Sequence, residues 1–292
     1  MTTILEKKER VVKARQGVDT KISGWRGEIK ISFEGRSTKT VMSSVQHIGP
    51  LRVQRPFYPE VDVCHVYLLH PPGGVVGSDS LTINVQANKN SHALITTPGS
   101  TKFYLSAGEN AHVDQTLAVE NNCALEWFPQ ENIFFPGAKV KLKTLVSLEK
   151  NANFIGWEIN CLGRPVNNEQ FEFGEMDALF KIHREGIPLL IERQRVNQLR
   201  HLYAAAGLRA YPMNALFVCT GCDESHTELA REVIESLSFD SPVGITLIED
   251  LLVLRVLGDR AEKIQRMMIS VWQILRPLIL NKQAVLPRIW AT

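Results

Sequence analysis

A chain of 292 residues, 44% hydrophobic and 22% charged, is long enough to bury one large core or two small ones and too apolar to stay disordered. Its 33 Lys and Arg against 31 Asp and Glu leave a net charge of +2, which argues against a dedicated nucleic-acid binder. Five cysteines in such a chain point to reduced thiols rather than a disulfide framework.

Residues 1–23 carry a basic run, Lys7, Lys8, Arg10, Lys13 and Arg15, and read as a mobile, solvated arm. No apolar segment follows those charges, so a secretory leader is not expected and the chain is placed in the cytoplasm. Residues 24–210 show short apolar runs and alternations broken by Gly, Pro and Asn, with strands expected at 29–33, 64–69, 81–85 and 138–148. Phe171 and Phe173 are expected on one face of a further strand. This part predicts a multi-stranded β stack or sandwich-like body.

Residues 211–292 change period and predict a smaller α+β part packed on the body. A buried strand at 215–219 leads to a helix opened by a Ser225/Glu228 capping box, then to strands at 243–248 and 251–257. Asp259 with Glu262 is expected to cap a second helix, whose Ile264, Met268, Val271, Leu275 and Leu278 share a face. The unit reads β-α-β-β-α, and Pro277 should kink or end the last helix. The 267–280 stretch, broken by Gln273, Arg276 and Pro277, is too short and polar to span a membrane.

Phosphate-loop, nucleophile-elbow, zinc-protease and dinucleotide motifs are all missing. Gly73, Gly74 and Gly77 follow a double proline and precede β-type sequence, which favours a tight turn over a phosphate cradle. Cys219 and Cys222 have the spacing of paired metal ligands, with His226 as a third. Without a second such pair, buried structural thiols are the alternative. Cys64 and His65 are neighbours on a strand and point to opposite faces, which argues against a nucleophile and base.

His70 reads as a metal ligand or as the cap of a turn. The carboxylates Glu60, Asp62, Glu126, Glu131, Glu158 and Glu175 lie in or beside apolar, strand-like sequence, where a buried acid needs a partner or solvent. Glu60 and Asp62, two apart, are expected on one strand face. Arg52, Arg55, Phe57 and Tyr58 have an interface-like composition, with local ring packing as the alternative.

An ordered series of segments resembles the UreD (UreH) family. It runs from Gln46-His47-Ile48-Gly49-Pro50-Leu51 and Gln54-Arg55-Pro56-Phe57-Tyr58-Pro59 to His70-Pro71-Pro72-Gly73-Gly74 with Gly77 and Asp79. Thr97-Pro98-Gly99, Leu125-Glu126-Trp127-Phe128-Pro129, Phe135-Pro136-Gly137-Ala138, Cys161-Leu162-Gly163-Arg164-Pro165 and Pro188-Leu189-Leu190-Ile191-Glu192-Arg193 continue it. Leu286-Pro287-Arg288-Ile289-Trp290 closes it. Ser78 departs from the family, many of whose members carry glycine there.

The resemblance implies a non-enzymatic urease accessory protein that binds UreF-type and UreG-type partners and apo-urease. It also implies a β-rich fold around a polar passage for nickel in transit, with no tightly bound cofactor. Glu60, Asp62, Glu126, Glu175 and His70 are the candidates to line that passage, and Arg52, Arg55, Phe57 and Tyr58 to meet a partner. Nucleic-acid and membrane partners are not expected. The alternative function is a hydrolase using an unrecognised Cys/His site.

Overall fold

A computed structural model describes residues 24–291, so the expected N-terminal arm lies outside the described residues. The chain runs through β1 (Arg26–Arg36), β2 (Lys39–Ile48), β3 (Arg52–Val53), β4 (Cys64–Leu69), β5 (Ser80–Asn88), β6 (His92–Thr96), β7 (Thr101–Phe103), β8 (Ala111–Val119), β9 (Ala124–Phe128) and β10 (Asn132–Phe134). It continues through β11 (Lys139–Leu148), β12 (Asn153–Arg164), β13 (Glu169–Gln170), β14 (Glu175–Arg184), β15 (Ile187–Val196), α1 (Arg200–Tyr203) and β16 (Met213–Cys219). Then come α2 (Glu224–Ser236), β17 (Val243–Ile248), β18 (Leu251–Gly258) and α3 (Ala261–Leu280).

Two sheets form the body. The smaller has the order β15-β14-β11-β8-β5-β1-β2, and the larger follows the path β17-β18-β16-β12-β9-β6-β4-β3. From β4 to β14 the long strands alternate between the sheets, and their neighbours in each sheet are parallel. The chain therefore winds as a two-sheet coil, closed at both ends by antiparallel strands.

The strands carry the sign of their sheet. In β11 and β14, buried and less buried residues alternate, because one face packs inward and the other meets water. β9 is buried throughout and β12 nearly so, because α3 covers the outer face of the larger sheet. Between the sheets, Phe33, Val66, Trp127, Val140 and Phe180 form part of one core. On the outer face Phe128, Trp157, Met268 and Trp272 form a second, and each such side chain contributes about 2 kcal/mol by leaving water.

Several local expectations are corrected. Phe171 and Phe173 lie in the loop before β14, with Phe171 buried and Phe173 exposed, since β13 ends at Gln170. Glu60 and Asp62 sit in a turn, where Val61 takes a φ of 70°, and so share no strand face. Asp223, not Ser225, caps α2: its carboxylate accepts the His226 amide, and the His226 ring reaches back to the Asp223 amide. No side chain caps α3 at Arg260. Pro277 does not end α3, which continues to Leu280, and Arg276, just before the last turn, is bound to the carbonyl of Gln283.

Candidate functional site

Along β12, Phe154, Glu158 and Leu162 face the inner core, while Ile155, Trp157, Ile159 and Cys161 face the helices. A period of two thus turns Glu158 and Asn160 into the coil. Asn160 Nδ2 donates to Glu158 Oε1 at 3.1 Å, and Asn132 Nδ2 of β10 donates to Asn160 Oδ1 at 3.1 Å. From the opposite sheet, Thr144 Oγ1 stands 3.3 Å from Glu158 Oε2 and 3.2 Å from Gln115 Oε1. A polar seam therefore crosses the interior from one sheet to the other. Burial pushes the Glu158 carboxyl above its ordinary range, against the opposing hydrogen bonds of Asn160 and Thr144.

Glu158 lines two cavities. One, of about 820 Å³, opens between β15 and the β16–β18 end of the larger sheet, beside residues 204–209. The Glu192 carboxylate of β15 and the Arg255 guanidinium of β18 bridge the two sheets in its wall, at 2.8 to 3.2 Å. The other, of about 330 Å³, is bounded by His70-Pro71-Pro72-Gly73-Gly74, Thr97-Pro98-Gly99, Gln115 and Asn132. Gly74 permits the tight packing there, since a Cβ would meet the Tyr104 ring at 2.4 Å. Burial pulls His70 below its ordinary value despite the nearby Asp79 charge, which favours the neutral imidazole.

A second polar cluster lies on the other face of the larger sheet, beneath α3. His65, Leu94 and Glu126 are in register across β4, β6 and β9. Arg276 of α3 donates to Glu126 through Nε and Nη2 at 2.9 to 3.0 Å and to Glu60 through Nη1 and Nη2 at 2.7 and 2.9 Å. Trp272 Nε1 donates to Glu126 at 2.6 Å, His92 Nε2 lies 2.7 Å from Glu126, and His65 Nε2 lies 2.6 Å from Glu60. Burial works against ionisation of Glu126, yet His92 and Arg276 overcome it and draw the carboxyl down to about 2. Glu60 is likewise held below its ordinary value by His65 and Arg276, against its burial.

These placements separate the passage candidates. Only His70 borders a cavity that reaches Glu158. Glu60 and Glu126 are bound to Arg276, and Asp62 pairs with Lys282. Glu175 pairs with Lys139 at 3.4 Å at the start of β14 and is partly exposed. Four carboxylates expected to face an ion are thus engaged by cations outside the seam. Missed in sequence were Arg276, whose partners lie 150 and 216 residues away, Asn132 and Asn160, and Asn214, whose Oδ1 lies 3.5 Å from Asn160 Nδ2. Asn160 alone carried a signal, two residues from Glu158 on the same face.

The Arg52–Tyr58 cluster is split. Arg52 Nη1 is spent on the carbonyls of Gly49 and Leu51 and on His47. Phe57 leans on Tyr67 at 4.9 Å, whereas Tyr58 packs against the inner core with Lys39 over its ring at 4.5 Å. Cys64 and His65 do face apart, and burial raises the Cys64 thiol to about 11, which removes the proposed nucleophile. Cys219 and Cys222 are both buried, but His226 is held by Asp223 at 2.6 Å in the helix cap. Among the described residues no group of three or more His, Cys, Asp or Glu is arranged to hold a metal ion. No described helix is long and apolar enough to cross a membrane.

The UreD urease accessory protein family matches residues 26–291. The urease accessory protein UreD of Alcanivorax borkumensis is 59% identical over 273 residues, covering 92% of this chain and 93% of that protein. Those of Aliivibrio fischeri and Escherichia coli are each 44% identical, over 94% and 92% of this chain and 99% and 98% of their own lengths. With this coverage, the chain belongs to the UreD family of urease accessory proteins, which are not enzymes.

Proposed function

We propose that the chain is a cytoplasmic scaffold of urease maturation, which binds UreF-type and UreG-type proteins and apo-urease and lets nickel pass through its coil. Residues 24–210 and 211–292 act as one integrated domain on this reading, because β16 pairs with β12 on one side and β18 on the other. The observation that carries the proposal is Glu158, a buried carboxyl that lines two cavities on the inside of the coil. The flanking amides and hydroxyl offer oxygen atoms to a divalent ion without the grip of thiolates, as cargo in transit requires. Nickel is the cargo here, not a resident cofactor.

Steric plugs test the passage. Asn214→Trp fills the larger cavity and Gln115→Trp the smaller, both at partly buried positions. Each is expected to leave the complex with purified partners intact by size-exclusion chromatography, while urease matured with it holds less nickel and less activity. Normal nickel content with both plugs would rule out the passage.

A further inference from the structure

β15 ends the smaller sheet, so one of its edges carries backbone donors and acceptors with no strand beside it among the described residues. Natural edges are usually blunted, because a free edge recruits other strands. Pro188 and the bulge at Leu189 blunt the start of this edge, so the stretch open to pairing runs from Leu190 to Val196, where Ile191, 57% exposed, is followed by Arg193 and Arg195 on the outward face. Such a sequence invites pairing at one end and sets a charge condition at the other.

That charge is concentrated. From Arg193 to Cys222 the chain holds four arginines and no Asp or Glu. Arg193 is bound by Asp177 at 2.6 and 2.9 Å, whereas Arg195, Arg200 and Arg209 form no ion pair among the described residues. Arg195 and Arg209 border the 820 Å³ cavity together with His201, and the exposed Leu199 and Tyr203 lie in the same segment. Arginine, tyrosine and an apolar strip around a cleft make up the composition of protein-binding hot spots.

The geometry points to strand addition: an extended, acidic and apolar segment of a partner protein pairs with the free edge of β15, its carboxylates meeting Arg195 and Arg209. The inference rests on the assembly part of the function proposed above. The chain's own residues 1–23 have the wrong charge for this place, six basic against three acidic. Main-chain pairing supplies affinity and the isoleucine and arginine positions supply selectivity, as in other strand-addition complexes. Nucleic acid is disfavoured, because the net charge is only +2 and the edge presents isoleucine beside arginine.

Purified UreF-type protein, UreG-type protein and apo-urease are each titrated with the full chain, the Arg195→Glu/Arg209→Glu variant and the Ile191→Glu variant. All three forms are first compared by circular dichroism and melting. One partner is expected to bind the wild type with an affinity that falls as salt rises, and to lose at least about tenfold with each variant. Arg195→Lys/Arg209→Lys should retain most of the binding. Hydrogen exchange across residues 190–196 should slow only in the complex. Unchanged binding by both variants, unprotected β15 amides in the complex, or a self-dimer that protects this edge would overturn the inference. So would variants that lose RNA or DNA binding while keeping the protein partners. A wild type that binds none of the three proteins would remove the assembly reading, and this inference with it.

Discussion

Glu126 and Glu158 are buried on opposite faces of the larger sheet and have opposite protonation preferences. Glu126, lowered from 4.5 to about 2, stabilises the fold above its unfolded value, and that contribution is lost as pH falls from 4.5 towards 2. Glu158 is raised, so its contribution is present at low pH and is lost as pH rises through its folded value. At pH 7, Glu126→Gln is expected to cost about 3 kcal/mol, since Arg276 loses a charged partner in a dry site. Glu158→Gln keeps the size of the side chain and should melt at or above the wild type. Thermal melts of both variants at pH 7 and pH 4 check this, and a destabilised Glu158→Gln would show that a charged Glu158 supports the fold. Ser78 takes a φ of 76°, which explains why glycine suits this turn, and Ser78→Gly should stabilise by about 0.5–1 kcal/mol in chemical denaturation. Glu158 was legible as an acid in apolar sequence. Arg276 was not, because it reads as a flaw in an apolar helix until the fold brings Glu60 and Glu126 to it.

At the level of elements, period told more than composition. The alternation in β11 identified a strand with one wet face, and the continuous apolar run of 215–219 pointed to β16. Neither shows which sheet a strand joins, so the parallel coil was not legible: its pairings set each strand beside another from the next winding. Cap positions slipped for a related reason, as Asp223 and Ser225 both offer a side-chain oxygen and the extended backbone of Asp223, with φ of −129° and ψ of −171°, decides between them. The end of the chain shows what tertiary packing adds. Trp290 packs against Trp157 at 5.3 Å and Phe128 at 5.8 Å and donates to Thr96 at 3.0 Å. Trp290→Ala is expected to cost about 3 kcal/mol and to expose the segment after α3 to proteolysis. Unchanged melting and cleavage would mean that the cluster of Phe128, Trp157 and Trp272 closes without it.

Across the whole molecule, the two mouths of the proposed passage differ in electrostatic character. The larger cavity is bordered by Arg193, Arg195, Arg209 and Arg255, of which, among the described residues, only Arg193 and Arg255 form ion pairs, so a bare divalent cation is repelled there. An acidic strand seated on β15 would neutralise the remaining charge, so that docking of the partner and admission of the ion become one event. The smaller cavity offers His70, uncharged at neutral pH, with Lys102 as its cation. In the isolated chain, added nickel is therefore expected to reach the smaller cavity first. Methyl spectra can follow this, because the paramagnetic ion broadens nearby signals: Leu51, Leu68 and Val113 report on one cavity, and Ala215, Leu216 and Val256 on the other. Broadening should begin in the first set and spread to the second only at higher nickel. Arg195→Glu/Arg209→Glu should bring the second set forward without moving the first. Simultaneous broadening in the wild type, or no response to the charge reversal, would mean that the arginines do not control access of the ion to Glu158.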